Sequence, residues 1–495
     1  MADEAAFAAQ RVFEPYLRDR GFVNGRWIEA QDGRRFEVTD PSSGRAIVSV
    51  PRMGAAETRA AIAAAEAALP GWRDSTAGAR AKVLKRWAAL MRERQEALAT
   101  LLTTEQGKPM AESRAEIAYA ASFLEWFAEE GKRAYGDVIP PHQADNRIVV
   151  TKEAIGVCAG ITPWNFPCAM VTRKAAPALA AGCTMVLKPA EQTPLSALAL
   201  CVIAEEAGLP PGVFNVITGD GEDAPLIGKE LTSNPVVRKL GFTGSTEIGK
   251  LLMAQCAPTM KRISLELGGN APFIVFDDAD LDEAVAGALL CKYRNTGQTC
   301  ISANRILVQS GIHDAFVERL AAAAGQLKVG NGLDPAVSIG PLIEPAGLAK
   351  VERHVANAID NGARPVLGGK RHELGLTFFQ PTVLVGVDPK MAMCCEETFG
   401  PVAGITSFAT EDEAIAIAND TPYGLASYFY TRDLARSWRV GDKLQAGIIG
   451  INTGFISTEI APFGGIKESG IGREGSRYGL DEFLAIKYRC IGGIA

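Results

Sequence analysis

The spacing of apolar residues divides the chain into segments typical of strands and of helices. The first 50 residues predict short strands separated by turns, in GFVNGRWIEA and then FEVTDPSSGRAIVSV. Residues 54–133 are rich in alanine and place apolar side chains three and four positions apart, which predicts helices. Residues 137–158 alternate again, which indicates a hairpin or an extended arm.

Strands and helices then alternate along most of the remaining chain. The predicted strands are GVCAGIT, CTMVLKP, GVFNVITG, VRKLGFTG, APFIVFDD, NRILVQ and FFQPTVLVG. Such alternation predicts parallel sheets covered by helices on both faces, and two doubly wound α/β domains in series fit 495 residues. Near the C-terminus, DEFLAIKYRCIGG predicts an edge strand that pairs outside its own domain.

Composition excludes several classes of protein. The chain is 47% hydrophobic and 22% charged, with a net charge of −6 and no cluster of Lys and Arg, so we expect no nucleic-acid partner. The most apolar stretch, residues 175–187, is too short to cross a bilayer, so we expect no membrane partner either. The N-terminus, MADEAAFAAQ, resembles neither a secretory signal nor a transit peptide, which favours the cytoplasm.

Cysteine and histidine usage narrows the chemistry. None of the ten cysteines forms a CxxC pair, which argues against a zinc cluster and a disulfide framework, and we expect no metal. The four histidines are scattered, and none lies near a motif that could carry a nucleophile. A general base, if the protein uses one, must therefore be another residue type.

Cys300 is the candidate nucleophile. It ends the sequence NTGQTC directly after a predicted helix, and Gly297 allows a tight turn that would expose the thiol. A nucleophilic cysteine needs access to its substrate and a lowered pKa. The alternative is a cysteine that packs in the core as a small apolar residue, which is what most cysteines do.

Two further motifs carry polar groups at predicted strand ends. Glu266 begins ELGGN, where two glycines indicate close backbone approach to a ligand, and it is the candidate base for a hydrolytic water. Asn165 lies in TPWNFP, a loop made rigid by two prolines, and its amide is a candidate donor to an oxyanion. The alternatives are a salt-bridged glutamate and an asparagine that caps a turn.

Other motifs suit a dinucleotide. FTGSTEIG predicts a strand, a glycine turn and a helix whose N-terminus could hold a pyrophosphate, with Ser245 adding a hydroxyl. Gly221 belongs to a second, weaker glycine motif. Lys188 and Glu191 of KPAE could bracket the adenosine ribose, and Glu191 would repel a 2′-phosphate, which favours NAD and leaves NADP open. The alternative for this pair is an exposed surface ion pair.

Taken together, these motifs resemble the aldehyde dehydrogenase superfamily, and the resemblance covers nearly the whole chain. TPWNFP, KPAE, FTGSTEIG, ELGGN, GQTC, EETFGP and PFGG occur in that family's order, and Glu266 precedes Cys300 by the expected 34 residues. The resemblance implies a thioester mechanism with Cys300 as nucleophile, Glu266 as base and Asn165 as oxyanion donor. It also implies proton relay through Lys174 and Glu474.

The resemblance further implies binding sites and domains. The implied cofactor-binding residues are Thr162, Pro163, Trp164, Lys188, Glu191, Gly221, Phe242, Gly244, Ser245, Glu397 and Phe399. The implied domains are an NAD(P)-binding domain (1–134 and 154–265), a catalytic domain (266–470) and a small β oligomerisation arm (135–153 and 471–495). Such an arm implies a homo-oligomer, either a dimer or a tetramer.

Within that family, the chain is most similar to succinate-semialdehyde dehydrogenases, sharing KYRNTGQTC, FPCAMVTRK and INTGFIS. Arg173 and Arg294 flank the catalytic loops, and a substrate carboxylate suits guanidinium groups, with Ser457 as a third donor. The alternative is that one or both arginines form structural ion pairs. Ser302 stands where some relatives carry a second cysteine, so we expect no local disulfide switch.

Four alternatives compete with this interpretation. A non-catalytic protein of the same fold would lack one of the catalytic groups, and a Rossmann alcohol dehydrogenase would not depend on a reactive thiol. Family members that transfer the acyl group to coenzyme A usually lack the base, so Glu266 favours hydrolysis. A glutarate-semialdehyde or broader short-chain aldehyde dehydrogenase is the nearest alternative, because one methylene changes binding by only about 1–3 kcal/mol.

Overall fold

A computed structural model describes residues 9–494. Residues 9–16 are helical, where the sequence predicts only strands and turns, and short antiparallel strands follow: β1 (Gly21–Val23), β2 (Arg26–Ile28), β3 (Arg35–Thr39) and β4 (Ala46–Pro51). Asn24 and Gly25 join β1 to β2 with φ values of 53° and 68°, the left-handed conformation that a two-residue type I′ hairpin requires. The predicted short strands are therefore present.

A block of helices follows, as the spacing of apolar residues predicts. They are α1 (Ala55–Arg73), α2 (Ala77–Glu93), α3 (Gln95–Gln106) and α4 (Met110–Glu130). Thr76 caps α2 by accepting from the Ala79 backbone N–H at 3.1 Å, and Gly107 ends α3 at φ 92°. Helix α4 buries Ile117, Leu124 and other apolar side chains and packs against the first helix of the next segment.

The next segment contains a hairpin and then a β/α alternation. Its elements are β5 (Asp137–Ile139), β6 (Arg147–Ala154), β7 (Val157–Ile161), α5 (Pro167–Ala181), β8 (Thr184–Lys188), α6 (Pro194–Glu206), β9 (Phe214–Val216), α7 (Ala224–Ser233), β10 (Val237–Thr243), α8 (Thr246–Cys256) and β11 (Arg262–Glu266). Gly182 ends α5 at φ 93°, where the sequence predicts its end.

A second alternation completes the described region. Its elements are β12 (Ala271–Val275), α9 (Leu281–Tyr293), β13 (Ala303–Gln309), α10 (His313–Ala324), α11 (Pro345–Asp360), β14 (Arg364–Leu367), β15 (Thr382–Val385), α12 (Ala392–Cys395), β16 (Val402–Phe408), α13 (Glu411–Asn419), β17 (Ala426–Tyr430), α14 (Leu434–Lys443), β18 (Ile448–Ile451), β19 (Gly470–Ile471), α15 (Ser476–Asp481) and β20 (Leu484–Ile491).

Two large sheets organise these elements. The first has the order β19-β11-β10-β7-β8-β9-β1-β2, with β11 to β9 parallel. The second has the order β14-β15-β16-β13-β12-β17-β18 and is parallel from β15 to β18. This confirms the α/β fold class with two largely parallel sheets. The residue ranges assigned to the domains stay a prediction.

A third, three-stranded sheet has the order β20-β6-β5. Strand β20 pairs antiparallel with β6 over its whole length, from Leu484 opposite Ala154 to Ile491 opposite Arg147. The predicted hairpin is therefore β5 and β6, and the predicted C-terminal edge strand pairs with it rather than with either large sheet. Val138 and Ile486 are exposed on this arm.

The register of the first sheet places several candidate residues along one edge. In the paired strands β7 and β8, Ile161 is opposite Lys188, and in β10 and β11, Thr243 is opposite Glu266. Each of these residues is the last of its parallel strand, so the loops that follow lie at the carboxyl edge, where α/β sheets bind ligands. Within residues 9–494, no helix is long and apolar enough to cross a membrane.

Candidate active site

Cys300 opens onto a cavity of about 740 Å³. Its walls include Arg173, Arg294 and Ser457 together with several aromatic side chains, among them Tyr119, Phe166, Phe455 and Phe463. Among residues 9–494, Cys300 is the one cysteine that lines this cavity, and it is half-buried. Burial and the neighbouring Glu397 raise the pKa of its thiol to about 12.

The loop before Cys300 has an unusual backbone. Asn295, Thr296 and Gly297 have φ values of 50°, 59° and 75°, three consecutive left-handed residues, of which two are not glycine. Such conformations cost about 1–3 kcal/mol each and persist where neighbours hold them. Glu112 Oε2 accepts from the Asn295 backbone N–H at 2.7 Å, and Thr296 Oγ1 donates to the Gly340 carbonyl at 3.1 Å.

Glu266 and the glycines after it pack against this loop. A Cβ on Gly269 would lie 2.4 Å from the Cys300 carbonyl oxygen, so only glycine fits here. The close approach is to the backbone of the Cys300 loop, and the predicted approach to a ligand stays a prediction. The Glu266 side chain is buried, and neither of its carboxyl oxygens has a hydrogen-bond partner among the described residues. Burial and the nearby Glu474 raise the pKa of Glu266 well above its usual range.

Lys174 and Glu474 form a buried pair beside Glu266. Lys174 Nζ donates to Glu474 Oε1 at 2.5 Å and to Thr243 Oγ1 at 2.6 Å. Burial alone would raise the pKa of Glu474, but Lys174 and Arg173 outweigh it and lower that pKa. The two neighbouring carboxyls thus have pKa values shifted in opposite directions, an arrangement that suits proton transfer.

Asn165 connects to the Cys300 loop through its side chain and its backbone. Its Nδ2 donates to the Gln298 carbonyl at 3.1 Å, and its carbonyl accepts from Asn295 Nδ2 at 3.0 Å. Because Nδ2 has two hydrogens, one remains for a ligand. In residues 9–494, no protein acceptor takes the Cys300 backbone N–H, which leaves a second donor available.

The two candidate substrate arginines differ in their partners. Arg294 is half-buried, its Nη2 lies 3.5 Å from Ser457 Oγ, and its guanidinium carbon is 5.3 Å from the ring centroids of Phe166 and Phe455. Arg173 is buried, and its Nε lies 2.9 Å from Glu474 Oε2 in an ion pair. Its Nη2 has no hydrogen-bond partner in the described region. Arg173 therefore has both a structural partner and a free donor.

The candidate adenosine side of a dinucleotide site lies after β8. Lys188 Nζ lies 3.3 Å from Glu191 Oε2, and a Cβ on Gly221 would lie 3.6 Å from Glu191 Oε1, which brings the two motifs together. The buried Thr162 hydroxyl has no protein partner among the described residues, and the Thr162 N–H donates to the Lys188 carbonyl at 3.1 Å. Pro163 follows Thr162 in the same loop.

The candidate phosphate and nicotinamide sides of this dinucleotide site lie in other loops. Ser245 caps α8 by accepting from the Ile248 N–H at 3.4 Å, and a Cβ on Gly244 would clash with the Phe242 ring at 2.4 Å. Trp164 and Phe399 make an edge-to-face contact with centroids 5.5 Å apart. Glu397 Oε1 accepts from the Gly269 N–H at 3.2 Å, and burial raises its pKa to about 7.

Comparisons with known proteins agree with this geometry. The family model described as aldehyde dehydrogenase family matches residues 27–488. The chain belongs to the aldehyde dehydrogenase family. It is 62% identical over 478 residues to a glutarate-semialdehyde dehydrogenase of Pseudomonas aeruginosa, covering 97% of this chain and 98% of that relative. It is also 62% identical over 476 residues to an NADP(+) succinate-semialdehyde dehydrogenase of Escherichia coli, covering 96% and 98%.

Solved structures show the same relationship. An NADP-dependent enzyme of E. coli superposes with a TM-score of 0.95 at 61% identity, covering 97% of this chain and 99% of that one. A betaine aldehyde dehydrogenase of Staphylococcus aureus in complex with NAD⁺ gives a TM-score of 0.95 at 36% identity, covering 99% and 98%. The expected family, the enzyme class and the nicotinamide cofactor, NAD or NADP, are confirmed. Cofactor preference and residue roles stay predictions.

The sequence missed three charged residues at this site. Lys108, Glu112 and Glu116 lie in or beside α4, and all three contact the loops that carry Asn165 or Cys300. The only available signal was a pair of glutamates one helical turn apart, a pattern that ordinary exposed helices share. Long-range packing, rather than local sequence, brings them to the site.

Proposed function

We propose that this member of the family oxidises succinate semialdehyde, or a closely similar aldehyde with a terminal carboxylate, to the carboxylic acid. The observation that carries this proposal is Arg294, a half-buried cation beside Ser457 in the cavity onto which Cys300 opens. A guanidinium in a largely aromatic cavity is costly for an apolar substrate and favourable for a carboxylate, which it binds with charge-assisted hydrogen bonds.

Cys300 is the proposed nucleophile. Its thiolate attacks the aldehyde carbon, and the resulting oxyanion is stabilised by Asn165 Nδ2 and the Cys300 backbone N–H. Because the pKa of the thiol is raised, its proton must pass to solvent in the cavity before attack, and the cations of Arg173 and Arg294 favour the resulting thiolate. A bound NAD(P) supplies the hydride acceptor, and the product of oxidation is a thioester on Cys300.

Glu266 is the proposed base for thioester hydrolysis. A buried carboxyl whose two oxygens have no partner among the described residues can accept the proton of an attacking water, and its raised pKa makes it a stronger base than an ordinary glutamate. The Lys174–Glu474 pair then provides a route for the proton away from Glu266. The presence of this base supports hydrolysis rather than acyl transfer to coenzyme A.

The residues of the first sheet fit a dinucleotide. The N-terminus of α8, the free hydroxyl of Thr162 and the Lys188–Glu191 pair suit a pyrophosphate and a ribose, and the Trp164–Phe399 contact borders the nicotinamide side. Glu191 supports a preference for NAD because its carboxylate repels a 2′-phosphate. The NADP-dependent E. coli relatives make NADP the alternative.

The arm formed by β5, β6 and β20 supports a homo-oligomer, a dimer or a tetramer, because it leaves Val138, Ile486 and Tyr488 exposed at 80%, 74% and 57%. We propose a cytoplasmic location, because the ten free cysteines fit a reducing compartment. Light scattering on the purified protein would test the oligomer, and fractionation of the source cells would test the location.

A steady-state panel tests the substrate. Succinate semialdehyde, glutarate semialdehyde, butanal and propanal are each assayed with NAD and with NADP. The proposal expects kcat/KM for the two semialdehydes to exceed that for butanal by about tenfold or more, since a hydrogen bond to a charged group contributes about 1.5–3 kcal/mol. Equal kcat/KM for butanal and the semialdehydes would contradict it. Glutarate semialdehyde is the second candidate substrate. Of two relatives at 62% identity, one is a glutarate-semialdehyde dehydrogenase and the other a succinate-semialdehyde dehydrogenase.

A further inference from the structure

A buried charged cluster lies behind the site and is not used by the reaction just described. Lys108 Nζ and Glu116 Oε2 are 2.6 Å apart, and neither side chain has any exposed surface. A buried ion pair is weak evidence for stability, because the free energy of removing both charges from water often exceeds their attraction. What this pair contacts therefore matters more than the pair itself.

Lys108 and Glu116 hold both sides of Asn165. Lys108 Nζ also donates to the Asn165 backbone carbonyl at 2.6 Å. Glu116 Oε1 accepts from the backbone N–H groups of Cys168 at 2.9 Å and Ala169 at 3.3 Å, in the first turn of α5. The peptide that carries the Asn165 amide is thus fixed by one cation and one carboxylate.

Glu112 holds the other catalytic loop. It lies one turn before Glu116 on α4, and its Oε2 accepts from the Asn295 N–H at 2.7 Å, at the start of the left-handed backbone that leads to Cys300. Asn295 Nδ2 in turn donates to the Asn165 carbonyl, the same oxygen that Lys108 binds. One face of α4 therefore connects the two loops.

We propose that Lys108, Glu112 and Glu116 are positioning residues of the oxyanion site: from α4 and the loop just before it, they fix the amide of Asn165 relative to the Cys300 loop. This inference rests on the proposed role of Asn165 in the proposed function. A displacement of about 1 Å in a reacting group can cost about 100-fold in rate. Hydrogen bonds that hold the backbone around Asn165 can therefore change the rate without contacting the substrate.

The first test removes the ion pair without leaving an unpaired buried charge, in the double variant Lys108→Met/Glu116→Gln. The glutamine side chain keeps an acceptor for α5, and the methionine side chain keeps the bulk of the lysine stem. We expect the first-turnover rate of NAD(P)H formation to fall about 10- to 100-fold. Cofactor KM and the rate at which iodoacetamide alkylates Cys300 should change less than about twofold, since neither needs the oxyanion amide.

A mutant cycle with Asn165→Ala separates positioning from a general structural effect. If the pair acts through Asn165, adding Lys108→Met/Glu116→Gln to Asn165→Ala costs less than about twofold more. If instead the rate losses of the two changes multiplied, Lys108 and Glu116 would act independently of Asn165, which would contradict the proposed positioning role. An Asn165→Ala variant with an unchanged first-turnover rate would instead contradict the proposed role of Asn165, and this inference with it.

A second pair of variants tests Glu112, in case the double variant folds poorly. Glu112→Gln retains an oxygen acceptor for the Asn295 N–H, whereas Glu112→Leu does not. We expect the first-turnover rate of Glu112→Gln to stay within about threefold of the parent, and that of Glu112→Leu to fall about tenfold or more. Equal rates for the two variants would overturn the positioning role of Glu112.

Discussion

Lys174 Nζ donates to Glu474 Oε1 at 2.5 Å, and this buried pair lies close enough to Glu266 to influence its pKa. The negative charge of Glu474 raises the pKa of Glu266, while Lys174 and Arg173 lower it. Glu474 therefore disfavours the charged form of the proposed base, and because its own pKa is lowered it can pass on, but not hold, the proton that the base removes from water.

We predict that Glu474→Gln shifts the acid limb of the kcat–pH profile to lower pH. Glu266 must be deprotonated to act, so activity rises as pH rises through its pKa. Removing the like charge of Glu474 lowers that pKa, and the limb moves with it. Steady-state rates from about pH 5 to 9 measure the shift. An acid limb that stays in place or moves to higher pH would show that Glu474 does not control the base.

Glu266→Gln should separate the two half-reactions. The glutamine amide keeps the shape of the side chain and cannot accept a proton, so the thioester forms and then persists. We expect a burst of NAD(P)H close to one equivalent per active site, followed by a steady-state rate about 10²–10⁴ lower than that of the parent. Rapid-mixing absorbance of the reduced nicotinamide records both phases. Unchanged turnover would exclude Glu266 as the base.

Thiol reactivity should follow the raised pKa of Cys300, about 12. The thiolate is the reacting form, so alkylation by iodoacetamide should speed up about tenfold per pH unit between about pH 7 and 10. The background for this experiment is Cys395→Ser/Cys490→Ser, because Cys395 and Cys490 are exposed. Peptide mass spectrometry identifies the modified residue. A rate that is flat across this range would indicate a thiolate that is already formed at neutral pH.

Local patterns predicted most of the fold and the principal site residues, for identifiable reasons. Gly182 ends α5 because a left-handed residue closes that helix, and Gly269 is required because a Cβ would meet the Cys300 carbonyl. Both constraints require a glycine, and a glycine at such a position is visible in the local sequence. Glu266 and Asn165 were selected as candidates in the same way, from the glycines and prolines beside them, and their roles stay predictions.

Residues whose partners are distant in sequence were harder to predict. Lys108 binds a carbonyl 57 residues away, and Glu112 binds an N–H 183 residues away. No sequence motif next to Lys108 or Glu112 indicates such contacts. Arg173 is intermediate: the sequence placed it at the cavity, but its ion pair with Glu474, near the other end of the chain, required the structure. Its proposed contact with substrate stays a prediction.

Selectivity for a terminal carboxylate should depend on Arg294 more than on Ser457. A hydrogen bond to a charged group contributes about 1.5–3 kcal/mol and a neutral one about 0.5–1.5 kcal/mol. We therefore expect Arg294→Met to lower kcat/KM for succinate semialdehyde about 10- to 150-fold and Ser457→Ala to lower it about 2- to 10-fold. Arg294→Lys keeps the charge without the planar donors and should fall between the parent and Arg294→Met.

Butanal is the matched control for these variants, since it has the same carbon chain without the carboxylate. Its kcat/KM should change less than about threefold in Arg294→Met, because no ion pair with the substrate is lost. Arg173→Met provides a comparison within the same cavity: its guanidinium already has Glu474 as a partner, so its loss should affect both substrates through the Lys174–Glu474 pair. If Arg294→Met slowed butanal and succinate semialdehyde equally, Arg294 would be a structural residue, and the substrate carboxylate would bind elsewhere.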